Sequence, residues 1–108
     1  MSSRVQFEAI KELGFAAIGA AYASVGVVTA HEVRIVCITN NTEGDMYFTT
    51  DLTKNEMFVG AGSFKLYDLQ TNKTPKTDSK YVFAIGTQFS VKQIEAPISG
   101  NVYIECIF

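Results

Sequence analysis

Short apolar runs closed by turn residues recur along this chain at a spacing of about ten residues, and this spacing constrains its fold more than any other feature. The clearest run is 33–40 (VRIVCITN). Val33, Ile35 and Cys37 fall on one side of an extended chain and Arg34, Val36 and Ile38 on the other. Both sides are mostly apolar beyond Arg34, which places the strand inside a sheet with something covering each face, a neighbouring subunit included. Residues 40–45 (NNTEGD) carry turn chemistry, since Asn and Gly tolerate positive φ and Asn and Asp side chains bond nearby backbone. A second run, 45–51 (DMYFTTD), returns from that turn, so 33–51 reads as a β-hairpin.

The pattern continues. Residues 56–59 form a short strand, Gly60-Ala61-Gly62 a tight turn, and 63–69 an alternating strand with Phe64, Leu66 and Asp68 set against Lys65, Tyr67 and Leu69. The polar stretch 70–80 (QTNKTPKTDSK) reads as an exposed loop. Residues 81–85 and 87–93, joined at Gly86, read as a strand pair. A turn at 96–100 precedes a last strand, 101–108, with Val102, Ile104, Cys106 and Phe108 on one side. The N-terminal part is ambiguous. Ser3 and Gln6 fit a capping box for a short helix over 3–12, with Phe7 and Ile10 on one face. Gly14 and Gly19 oppose its extension, and 15–22 reads as a strand closed by a turn at Gly26. The expectation is one all-β domain over 1–108: an antiparallel β-sandwich or jelly roll of seven to eight strands, with a short N-terminal helix as an option.

Composition agrees with a β-rich core: eight Phe and five Tyr, no Trp. The net charge is −2 and the nine basic residues are scattered, which gives nucleic-acid binding little electrostatic support. Residues 13–30 contain no charge, but six Ala and three Gly keep that stretch weakly hydrophobic, and no Lys/Arg cluster flanks it. Before it, Glu8 and Glu12 offset Arg4 and Lys11, unlike the basic start of a signal peptide. Neither a membrane span nor secretion is expected. Two cysteines cannot make a disulfide framework. A Cys37–Cys106 bridge and two free thiols both remain open.

The candidates for chemistry are few. His31 is the only histidine and has no Cys or Ser near it in sequence, so it reads as a partly exposed loop residue. Asp45, Asp51, Asp68 and Asp78 read as turn residues rather than an acid/base pair. The 40–45 loop lacks the residue order of a calcium loop, and its Asn40-Asn41-Thr42 glycosylation pattern reads as accidental. Tyr22, Tyr47, Tyr67, Tyr81 and Tyr103 could form a sugar-stacking platform or pack between strands and subunits. No phosphate loop, zinc spacing or nucleophile elbow is present. No catalytic, metal or cofactor-binding residue is assigned, no cofactor is expected, and an enzyme is not expected.

Taken in order, RIVCITNNT (34–42), GDMYF (44–48), GAGSFKLYD (60–68), GTQFSVKQ (86–93) and APISGNVY (96–103) resemble small virion structural proteins of tailed bacteriophages. The resemblance covers most of 13–108 and rests on strands and turns, with no catalytic motif. It implies a non-enzymatic β-sandwich subunit, present in many copies. The subunit would sit on the capsid exterior as a decoration or cement protein, or at the head–tail connector or tail. Homo-oligomer contacts and contacts with other virion proteins are implied, with assembly in the bacterial host cytoplasm; sparse cysteine use fits that compartment. The expected contact elements are 16–28, the 70–80 loop and the C-terminal strand. The alternative expectation is a carbohydrate-binding module for host-surface glycans.

Overall fold

A computed structural model describes residues 6–69 and 82–108. These form eight strands: β1 (Lys11–Gly14), β2 (Ala23–Ser24), β3 (Ile35–Thr42), β4 (Met46–Thr49), β5 (Met57–Val59), β6 (Phe64–Asp68), β7 (Ser90–Gln93) and β8 (Gly100–Ile107). One 3₁₀ turn, Phe15–Ala17, joins β1 to β2. All strand pairs are antiparallel, in two four-stranded sheets ordered β1-β8-β3-β6 and β2-β7-β4-β5.

This order has a simple logic. The pairs β1·β8, β2·β7, β3·β6 and β4·β5 are nested, as in one long hairpin bent at the β4–β5 loop. Wrapping that hairpin around a common core brings β8 beside β3 and β7 beside β4, which closes two sheets. Two four-stranded sheets in this order make a jelly roll. The expected all-β sandwich is therefore the observed class.

The inner faces supply one core: Val36 and Ile38 from β3, Met46 and Phe48 from β4, Val91 from β7, and Val102, Ile104 and Cys106 from β8, with Phe89 and Val33 from flanking loops. Phe48 and Phe89 are fully buried, each contributing roughly 2–3 kcal/mol by removal from water. Val36 and Ile38 face in, whereas Ile35 and Cys37 face out and stay half-buried. The outer side of β3 at Ile35 and Cys37 thus has no covering layer within the described residues, whereas Val33, expected on that side, is fully buried in the core and bridged to Phe83.

The hairpin expected over 33–51 does not form. β3 is bonded on both edges, to β6 and β8, and it runs on through Thr42, opposite Gly100. No edge of β3 is left for β4, so the turn carries the chain across to the other sheet. Buried Asn40 organises that crossing. Its side-chain NH₂ donates to the carbonyls of Gly44 (2.8 Å) and Val59 (3.0 Å), and its Oδ1 accepts from the Thr42 hydroxyl (2.6 Å). These bonds satisfy polar groups that would otherwise be stranded in the core. Gly44 is required because a Cβ there would lie 2.3 Å from the Glu95 carbonyl oxygen.

Three further expectations change. Residues 7–14 are extended, not helical, with Phe7 bridged to Ile107 and Lys11–Gly14 paired with β8. Residues 15–22 form no strand; a 3₁₀ turn and a loop lead into two-residue β2. The pair expected from 81–85 and 87–93 is also absent: Phe83 bridges Val33, and β7 lies between β2 and β4. Residues 1–5, with the Ser3 cap, and the loop 70–80 lie outside the described residues. Among the described residues no helix is long and apolar enough to cross a membrane.

Candidate functional site

The described residues hold a recess at the open end of the β1–β8 edge. Its origin is a shift in register. Phe7 sits opposite Ile107 and Lys11 opposite Ile104, so four steps on the edge chain match three on β8. The extra residue is a β-bulge at Ala9–Ile10, the usual device for re-aiming side chains at a sheet edge. It puts both Glu8 and Lys11 on the core side, where their side chains are 6% and 4% exposed.

Each charge there is matched. Lys11 Nζ donates to Glu8 Oε1 (3.3 Å), and the backbone N–H groups of Ala30 (3.1 Å) and His31 (2.9 Å) donate to Oε2. His31 Nδ1 lies 3.0 Å from the same oxygen, and its ring stacks on Phe108 with centroids 3.6 Å apart and planes 5° from parallel. Burial pushes the Glu8 carboxyl up, but the bonds from His31 and Lys11 together outweigh it and hold the group below its ordinary range. Glu8 thus ties the 29–31 loop to the N-terminal edge, and the His31–Phe108 stack ties both to the chain end.

Above this polar floor the recess is apolar and open, with a volume of about 570 Å³. Phe7, Ile10 and Val27 on its wall are more than 60% exposed, and Val28 nearly half. His31 is a half-exposed loop residue, as expected, but its bond to Glu8 and its stack on Phe108 were hidden: residues 8, 31 and 108 are far apart in sequence. The one available signal was the polar–apolar break at residues 8–12.

The remaining candidates are dispersed. Asp45 and Asp51 stand at the two ends of β4; Asp45 Oδ1 accepts from Ala61 N–H (2.9 Å) and Asp51 from Thr53. Asp68 lies on β6 in the other sheet, and Asp78 lies outside the described residues. In the 40–45 loop, Glu43 accepts from the Ser99 hydroxyl and from the N–H groups of Ile98 and Ser99, which hold its carboxyl down at about 2. Among the described residues no three His, Cys, Asp or Glu side chains converge as a metal site would need. Cys37 and Cys106 are free thiols. Cys106 pairs with Val36, and Cys37 with Glu105, so the two project from opposite faces of the sheet.

Of the five tyrosines, the structure brings Tyr22 and Tyr47 together on the outer face of the β2-β7-β4-β5 sheet. Lys92 Nζ lies 4.9 Å from the Tyr22 ring centre and 5.8 Å from that of Tyr47, and Phe58 meets Tyr47 edge-on at 6.2 Å. The Tyr22 hydroxyl donates to Asn55 (2.6 Å). Tyr67 and Tyr103 belong to the other sheet, and Tyr81 lies outside the described residues.

The geometry defines a jelly-roll domain with an apolar recess and two partly apolar outer sheet faces. No protein-family model, curated protein or solved structure matches this chain.

Proposed function

We propose that this chain is a non-enzymatic structural protein of a tailed-bacteriophage virion. It would act by subunit contacts on the capsid exterior, or at the head–tail connector or tail. The carrying observation is the grouping of Phe7, Ile10, Val27 and Val28, all exposed, around one recess whose polar floor is already satisfied. Such a recess offers an apolar side chain of a neighbouring protein a place to leave water, worth roughly 25 cal/mol per Å². Two of the expected contact elements meet there, 16–28 through Val27 and Val28 and the C-terminal strand through Phe108. Jelly rolls occur in viral capsid and lectin domains, an analogy of fold that supports the reading.

The test is incorporation. The chain is expected to co-purify with intact particles, and Ile10→Asp with Val27→Asp to reduce its occupancy while the domain stays folded. A chain absent from purified particles overturns the reading.

A second reading, binding of host-surface glycans, draws on the grouping of Tyr22, Tyr47 and Phe58 beside Asn55. A stacked sugar would have to displace Lys92 from the Tyr22 ring. Saccharide titrations followed by tyrosine fluorescence and NMR shifts test it; no response at millimolar sugar removes it.

A further inference from the structure

The two outer sheet faces differ in one complementary respect. On the β1-β8-β3-β6 sheet, strand register sets Leu66, Cys37 and Glu105 in one row and Phe64, Thr39 and Tyr103 in the next. Phe64 and Leu66 are 66% and 61% exposed. Glu105 stands exposed within this face with no hydrogen bond or ion pair among the described residues, and no Lys or Arg side chain from them shares the face. On the other sheet, register places Tyr47 beside both Lys92 and Phe58, and Tyr22 reaches over Lys92. Lys92 is held among rings and pairs with no carboxylate among the described residues. Among the described residues one face thus carries carboxylates and no cation, Glu105 beside Cys37 and Leu66, Glu12 beside Tyr103 and Asp68 beside Ile35, while the other is aromatic around Lys92.

We infer that two copies of this chain associate head to tail, the outer face carrying Phe64, Leu66 and Glu105 on one copy packing against the face carrying Tyr22, Tyr47, Phe58 and Lys92 on the next. Stacking like face on like face brings Glu105 towards Glu105, or Lys92 towards Lys92, in apolar surroundings that weaken screening. Stacking unlike faces brings Glu105 to Lys92 and covers Phe64, Leu66 and Phe58. The eight residues of β3 and four strand spacings give a face of roughly 26 by 19 Å, about 1,000 Å² for the two partners. That lies at the low end of specific interfaces, so the contact is concentration-dependent. Because the two patches differ, the contact does not close on itself at the dimer; it leaves one free face at each end and continues to a ring or a stack.

This inference deepens the subunit reading and can fail without it. The test uses the full chain and two single-face variants, Leu66→Asp and Phe58→Asp, at exposed positions, with circular dichroism checking the fold. By sedimentation and light scattering, wild type is expected to grow beyond a dimer as concentration rises. Each variant alone is expected to stay monomeric, and an equal mixture to form a one-to-one dimer and nothing larger. Each variant retains the face that the other needs. A dimer of Phe58→Asp alone, a mixture that stays monomeric, or a wild type that is monomeric throughout overturns the head-to-tail contact. Particle incorporation of wild type tests the subunit reading separately. If either Asp variant does not fold, Glu105→Lys and Lys92→Glu take their place. Each is expected to weaken association at least tenfold alone, with the double variant regaining it; a double variant as weak as the singles overturns the contact.

Discussion

Lys11 and Glu8 form a buried ion pair on the core side of one edge chain, three residues apart, where an unbroken strand would point them to opposite faces. The bulge at Ala9–Ile10 makes the pair, and Glu8 also serves the backbone of Ala30 and His31. The partners are therefore unequal. Glu8→Ala strands a buried ammonium and two N–H groups and is expected to cost about 3 kcal/mol. Lys11→Met, of similar length, leaves Glu8 its other donors and is expected to cost less than about 1 kcal/mol. Urea unfolding midpoints of the two variants check this, and equal losses would contradict it.

Acid stability follows from the carboxylates held low. Glu8, Glu43 and Glu56 all have folded-state pKa values below the ordinary 4.5, Glu43 at about 2. In each case the unfolded chain takes up its proton first. The stabilisation is therefore complete above the ordinary value and lost as pH falls through the folded one. The unfolding midpoint is expected to fall between pH 4.5 and about 2, and Glu43→Gln to flatten the lower part of that slope. A midpoint independent of pH across this window would refute the assignment.

Two glycines with similar φ separate backbone conformation from crowding. Gly62 (φ 70°) has open space where a Cβ would stand, whereas at Gly100 (φ 90°) a Cβ would lie 1.9 Å from the Asn41 carbonyl oxygen. Gly62→Ala is expected to cost about 1 kcal/mol, and Gly100→Ala about 3 kcal/mol or more, because β8 must shift away from β3. Thermal unfolding of both variants gives the comparison.

The thiols are expected to differ in reactivity. Burial pushes the Cys106 thiol up to about 11, leaving almost no thiolate at neutral pH, while Cys37 is half-exposed on the outer face. Iodoacetamide should label Cys37 in the native protein and Cys106 only on unfolding. Electrophoretic mobility should be the same with and without reductant. Rapid native labelling of Cys106 would contradict its placement.

Local properties of the chain were legible in its residues. Alternation marked most strands, and turn residues marked the breaks at 60–62, 86 and 96–100. Both properties depend on neighbours one to four positions apart, which a linear reading contains. The inward side of β8 was also visible, because Val102, Ile104 and Cys106 repeat with the period of a strand.

Pairing was decided only in three dimensions. Alternation says which side of a strand is apolar but not which strand lies beside it. The run 33–40 looked like half of a hairpin, yet its neighbours are β6 and β8, the latter some sixty residues on. Burying Asn40 with its partners at Gly44 and Val59 selects the crossing over the hairpin. The recess arose the same way. A bulge has no residue signature of its own, and it alone turns Glu8 and Lys11 inward to meet His31 and Phe108. The sequence by itself marked the approximate extents of β3 to β8 and the inward side of β8, since short-range sterics and burial set these. It missed β1 and β2 and did not show that β6 leaves Phe64 and Leu66 exposed. The tertiary structure decided which edges meet and which charges share a site, since those depend on closing long loops around a common core.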